Sequence, residues 1–276
     1  MRLSISNIAW STSEDSIIAE LLKQYGIHAI DIAPGKYFPQ PANVSVQNID
    51  KIKAWWNAYD IEIIGMQSLL FGTQGLNVFG DPQSQQAMLG HLEAIFRIAQ
   101  RLDASRLVFG SPRNRDCTGL SADQAIDISV KFFRKLARLA ERYQVMLCLE
   151  PNPERYGANF MTNTADTAYI VEQVDHAAIR MQLDTGAIAI NNEDINHLLS
   201  QYSGLIGHIH LSEIDLQPFG SGKIHHDAIC KGIKKWLPEH LATIEMVGQA
   251  GQSNRQTIEL ALKQAIAIYG SRDKEG

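Results

Sequence analysis

Four short stretches place a metal-ligating residue type where an apolar run gives out: Glu150 in LCLEP, Asp184 in QLDTG, His210 in HIHLS and Glu245 in TIEMV. They are separated by 34, 26 and 35 residues, each spacing the length of one strand followed by one helix. Three carboxylates and one imidazole form an oxygen-rich donor set with a single nitrogen. Such a set suits Mn²⁺, Mg²⁺, Co²⁺ or Fe²⁺ better than structural zinc. If the four converge they hold one divalent metal ion, manganese first among these candidates.

Each residue also has an ordinary role open to it. Glu150 could cap a helix or pair with Arg155, and Asp184, ahead of Thr185 and Gly186, could be a turn or N-cap aspartate. His210 could be a core histidine like His208, which would lie two positions earlier on the same strand face, one layer deeper. Glu245 is the hardest to place this way, because ATIEMVGQ is otherwise apolar. Ordinary roles for all four would require four independent coincidences on successive strands, each burying a polar group that needs a partner.

Positioning these residues takes a regular scaffold, and the chain reads as one. Strand-like runs at 2–10, 29–34, 61–70, 105–112, 145–151, 179–186, 205–213 and 242–247 alternate with amphipathic helical segments. The helices are expected at 13–26, 44–60, 83–103, 121–143, 163–174, 192–202, 225–236 and 253–269. Eight such units without a linker predict an α/β fold, a (β/α)₈ TIM barrel in a single domain over 1–276, with 270–276 as a polar tail. An open doubly wound sheet is the weaker alternative, since no Gly-rich dinucleotide loop follows the first strand. In a barrel, polar side chains at the carboxyl ends of strands are where chemistry sits.

Composition narrows the function classes. The 276 residues are 45% hydrophobic and 20% charged, with a formal net charge of −5 and no Lys/Arg-rich block, which argues against a nucleic-acid partner. Cys117, Cys148 and Cys230 form no C-x-x-C pair, so neither a disulfide framework nor a structural zinc site is expected, and a reducing cytoplasm is. MRLSISNIAW is too short and too polar for a signal peptide, and no apolar run reaches membrane-spanning length.

The order Glu, Asp, His, Glu on strands five to eight resembles the xylose isomerase-like TIM-barrel family. That family includes ketose 3-epimerases, hydroxypyruvate isomerases, inosose dehydratases and apurinic endonucleases. The likeness runs along the whole chain, and GSGKI at 220–224 looks like the glycine-containing turn after the family's seventh strand. The resemblance implies a divalent-metal-dependent sugar or sugar-phosphate isomerase or epimerase, with Glu150 and Glu245 as ligands that also exchange protons on opposite sides of the substrate carbon through a metal-stabilised cis-enediolate. Two positions depart from the sugar epimerases: Ala187 stands where a histidine is usual, and Leu216 where an arginine is usual. The alternatives are therefore a dehydratase or lyase of a polyol ketone, or a non-catalytic sugar-binding barrel. The apurinic endonuclease branch is rejected, because its histidines on strands three, four and six are replaced here by Gln67 or Ser68, Ser111 and Ala187.

The first half of the barrel is expected to recognise the substrate, a small carbohydrate or an anionic sugar. Arg113, Arg115 and Lys36 are candidates for gripping a phosphate or carboxylate. Gln67, Asn152 and Trp10 are further substrate-binding candidates, and Asn7, Lys223, Tyr37 and Phe71 weaker ones. The loop 71–83 could act as a lid. A homo-oligomer is left open.

Overall fold

Eight apolar runs of four to seven residues, each stopped by a polar residue, glycine or proline, become the strands. The computed structural model describes residues 1–222, 224–249, 251 and 253–270. The strands are β1 (Leu3–Ser6), β2 (Ala29–Ile32), β3 (Glu62–Met66), β4 (Arg106–Phe109), β5 (Met146–Leu149), β6 (Ile179–Asp184), β7 (Ile206–Ser212) and β8 (Ala242–Glu245). They pair in parallel in sequence order and close, β8 against β1, into a single-domain (β/α)₈ TIM barrel.

The helices are α1 (Asp15–Gln24), α2 (Val46–Asn57), α3 (Pro82–Leu102), α4 (Ala122–Arg142), α5 (Thr164–Val174), α6 (Thr185–Ile190), α7 (Ile195–Tyr202), α8 (His226–Trp236) and α9 (Asn254–Tyr269). Local chemistry sets their starts. Asp81 caps α3 ahead of Pro82, Ser121 and Gln124 form a reciprocal capping box on α4, and Asn163 caps α5. In α4, Ala125, Ser129, Phe132, Phe133, Leu136 and Ala140 recur at helical spacing and are buried against the sheet.

The observed strands are shorter than the sequence suggests. β1 ends at Ser6, after which Asn7–Ala9 turn in a 3₁₀ step, and β3 ends at Met66, which frees Gln67 for the site. α6 was not anticipated: six residues directly after β6 are too few to show a period. No helix among the described residues is long and apolar enough to cross a membrane.

The barrel interior departs from the usual stack of branched aliphatics. Ser4, Asp31, Gln182, His208 and Thr243 are all buried there. Ser4 and Thr243 hydroxyls lie 2.5 Å apart, Thr243 Oγ1 is 3.3 Å from His208 Nε2, and His208 Nε2 is 2.6 Å from Asp31 Oδ2. A polar layer thus lies beneath the strand ends.

Candidate metal centre

Register brings the four residues together. Asp184 pairs directly with His210 and Ser212 with Glu245, while Glu150 follows β5 with its amide bonded to the Phe109 carbonyl at 3.1 Å. Each of Glu150, Asp184, His210 and Glu245 offers a ligand atom, all within 4.8 Å of one another. His210 Nδ1 stands 3.5 Å from Glu150 Oε1 and 3.3 Å from Glu245 Oε2. Each glutamate is steadied from its far side. The Asn152 amide donates to Glu150 Oε2 at 3.2 Å and to the Gly110 carbonyl at 2.8 Å, and the Gln67 amide donates to Glu245 Oε1 at 2.5 Å. Gly110 is required for space, because a Cβ there would collide with the Glu150 carboxylate.

Asp184 takes the N-cap role. Its Oδ1 accepts from the Ala187 amide at 2.6 Å as the N-cap of α6, and its Oδ2 accepts from Ser212 Oγ at 2.8 Å. Arg155 does not reach Glu150; its guanidinium pairs with Asp215 at 2.6 Å.

The electrostatics are those of acids crowded out of water. Burial, then the charges of Glu245 and Glu150, push the Asp184 carboxyl up to about 8. Burial opposes charge on His210, but Glu245, Asp31 and Glu150 outweigh it and hold the imidazole well above its ordinary range. Burial likewise opposes ionisation of Glu245, and the His210 charge overcomes it, lowering that carboxyl. Both ring nitrogens of His210 are buried without a hydrogen bond of good geometry. A divalent cation fits this donor set: it would neutralise the carboxylates and take up the buried imidazole nitrogen.

A further functional residue was missed in the sequence. Asp31 on β2 is fully buried, with its carboxylate 2.6 Å from His208 Nε2 and 3.6 Å from His210 Nε2. Burial works against its charge, yet the two histidines hold it well below the usual carboxylate range. It stands where a carboxylate fixes a ligating imidazole from behind. Room for it comes from Gly65 on β3, where a Cβ would lie 2.5 Å from Asp31 Oδ1. The signal available was an aspartate between two isoleucines in a short apolar run.

Above the centre opens a cavity of about 1170 Å³ lined by Glu150, Asp184, Glu245, Gln67, Asn152 and Lys36 among others. Lys36 Nζ is already engaged, donating to the Asn7 and Trp10 carbonyls at 2.5 Å each. Neither of the two strand-four arginines expected to grip an anion is among the residues lining this cavity. The 3₁₀ turn Pro112–Arg115 points Arg113 to solvent and Arg115 inward, fully buried, with Nη1 donating to the Glu150 carbonyl at 2.7 Å. Burial, only partly offset by Glu150, lowers the Arg115 guanidinium to about 10. Trp10 is also off the cavity, 2% exposed, its indole donating to Asp15 Oδ1 at 2.8 Å. Asn7 is buried beneath, accepting from the Ala33 amide, and Lys223 lies outside the described residues. Phe71, at the start of the loop 71–83, lines the cavity and is 87% exposed. Ala187 and Leu216 line the cavity as well.

Comparison with known proteins then bears on the family. A family model described as Xylose isomerase-like TIM barrel matches residues 19–264. D-psicose 3-epimerase of Ruminiclostridium cellulolyticum is 33% identical over 97 residues, which span 35% of this chain and 32% of that enzyme, so the match covers about a third of that relative's length. The solved structure of D-psicose 3-epimerase with D-tagatose from Clostridium cellulolyticum H10 superposes with a TM-score of 0.82 at 18% identity, covering 98% of this chain and 100% of that one. The IolI protein with a bound zinc atom superposes with a TM-score of 0.76 at 17% identity, covering 98% of each chain. These two structures speak for the fold. The family match runs from the first helix of the barrel into the last, and the chain belongs to the xylose isomerase-like TIM barrel family.

Proposed function

We propose that this chain is a divalent-metal-dependent epimerase or isomerase of a keto sugar. The observation that carries the reading is the convergence of Glu150, Asp184, His210 and Glu245 within 4.8 Å at the floor of an open cavity. These four would hold the ion, with Asp31 behind His210. Manganese is the ion proposed, in a reducing cytoplasm that suits the three free cysteines. D-psicose 3-epimerase, the relative from Ruminiclostridium cellulolyticum, is named for an activity of the same kind.

The bound ion supplies the polarisation of carbonyl and neighbouring hydroxyl that makes the adjacent C–H acidic. The chain's own residues do the rest. Glu150 and Glu245 each have one oxygen fixed by an amide, from Asn152 and Gln67, and the other turned toward His210. That arrangement gives two held carboxylates of like construction flanking one space. One removes the proton from the carbon beside the carbonyl, leaving an enediolate, and the other returns a proton to the opposite face or the neighbouring carbon. The first outcome is epimerisation, the second aldose–ketose isomerisation.

Ala187 and Leu216 favour a second reading, because they set apolar side chains where the family's sugar epimerases usually carry a histidine and an arginine. A dehydratase uses the same first proton removal and then expels a β-hydroxyl. The test is incubation of manganese-loaded protein with ketoses in deuterium oxide. Deuterium incorporation with an isomeric product supports the proposal, and loss of water from the substrate supports the dehydratase. No exchange and no product with any ketose would leave a binding protein and refute both.

A further inference from the structure

The floor and the wall of the cavity differ in kind. Polar groups with free capacity gather on the floor, around the four converging residues. On the loops above, several polar side chains are already engaged. Thr73 donates to the Leu70 carbonyl at 2.7 Å, His91 lies 2.9 Å from the Leu69 carbonyl, Ser111 donates to Asn114 at 2.6 Å, and Asp215 holds Arg155 at 2.6 Å. Beside Ser68 and Tyr156, the loops bring apolar side chains to the lining: Leu69, Leu70, Phe71, Pro153, Leu216 and Val247. Phe71 is exposed well beyond every other large apolar side chain among the described residues. Leu216 faces the cavity from a left-handed backbone (φ +52°), a conformation a leucine adopts only under constraint, here the 3.0 Å bond from the Val247 amide to its carbonyl.

Size points the same way. At about 1170 Å³ the cavity exceeds the roughly 300–1,000 Å³ that usually accommodates a drug-sized ligand. A bare hexulose would leave most of it unfilled, and hydroxyls turned to the wall would lose water without gaining a partner. A phosphate would find Lys36 as the one cationic side chain lining the cavity among the described residues, and Lys36 is tied to two carbonyls.

We infer that the substrate is a keto sugar carrying an uncharged apolar group, alkyl or aryl, at the end remote from the reacting carbonyl, seated against the apolar wall that includes Phe71 and Leu216. This rests on the proposed proton transfer at the floor. A matched set separates the two: D-fructose, its 6-O-benzyl ether and its 6-phosphate, titrated calorimetrically into metal-free and manganese-loaded protein, with deuterium wash-in run in parallel. The benzyl ether is expected to bind at least tenfold more tightly than D-fructose in both forms, with a negative heat-capacity change. Phe71→Ser should cut that preference at least threefold. Equal affinity for ether and free sugar, or tightest binding of the phosphate, would overturn the inference. Preferential ether binding with no deuterium uptake leaves the substrate class standing and sinks the proton-transfer reading. Equal uptake into ether and free sugar at equal KM does the reverse.

Discussion

Loading the centre with a divalent ion should expel protons from Asp184 and His210. Without an ion, Asp184 is pushed up to about 8 and His210 is held well above 6.5. At pH 7 a carboxyl titrating near 8 is about nine-tenths protonated, and His210 is charged; both must be deprotonated to act as ligands. Binding therefore releases close to two protons, so the apparent association constant for Mn²⁺ should rise ~100-fold per pH unit between pH 6 and 7, or ~2.7 kcal/mol. The slope should relax toward one proton as Asp184 ionises above pH 8. Titration of Mn²⁺ in buffers of different ionisation enthalpy gives the count directly.

The same groups fix the sign of metal-free stability. The Asp184 carboxyl is raised from 3.8, so between 3.8 and about 8 the folded chain keeps a proton the unfolded chain has lost, and stability falls as pH rises. His210, raised from 6.5, contributes stability that is complete below 6.5 and lost as pH climbs toward its folded value. Both slopes run downward from pH 6.5 to 8, and the metal-free Tm should fall over that window while the manganese-saturated Tm holds. A proton count near zero, with pH-independent affinity, would refute the crowded-acid account of the site.

Three other perturbations separate the roles assigned to neighbouring residues. Gly110→Ala puts a methyl group where the Glu150 carboxylate lies, and should lower metal content at least tenfold, by elemental analysis, with Tm little changed. Asp31→Asn removes the charge behind His210 and should weaken Mn²⁺ binding by about 10–100-fold in the same titration. Arg115→Ala empties a fully buried site and removes the donor to the Glu150 carbonyl, so urea denaturation should show a loss of about 3 kcal/mol, whereas exposed Arg113→Ala should change neither stability nor sugar binding.

The barrel and the convergence of four side chains were legible because both depend on short-range pattern. An apolar run that stops at a polar residue marks a strand's carboxyl end, and eight repeats of that unit leave few topologies. Asp31 was hidden because its place depends on register. Nothing in AIDI says which face of β2 turns inward, nor that Gly65, on the next strand, vacates the space its carboxylate needs. Arg113 and Arg115 were indistinguishable for a related reason. They are two positions apart in a single 3₁₀ turn, and only its orientation against β5 buries one and exposes the other. Asp184 was weighed as cap or ligand, and its two oxygens let it accept from Ala187 and Ser212 while still facing the cluster.

Charge counting joins the centre to its substrate. Glu150, Asp184 and Glu245 around one dication would leave a net charge of −1, with a neutral His210 turning its remaining N–H toward Asp31. His208 Nε2 stands 2.6 Å from Asp31, and burial lowers that imidazole, so the layer below adds no positive charge that reaches the cavity. Along the wall, Glu213 lies 3.3 Å from His226 Nε2 and Asp215 is paired with Arg155. A phosphorylated or carboxylated sugar entering this cavity would approach a negative floor where, among the described residues, Lys36 is the one cationic side chain on the lining and is tied to two carbonyls. A neutral keto sugar would meet no such penalty: its carbonyl and adjacent hydroxyl would be drawn to a bound ion, and its far end would need only apolar contact. The position of Arg115 therefore decides more than one residue's role. By turning inward to hold the Glu150 backbone, it gives up the anion site that the sequence suggested and leaves the wall to Phe71, Leu216 and their neighbours.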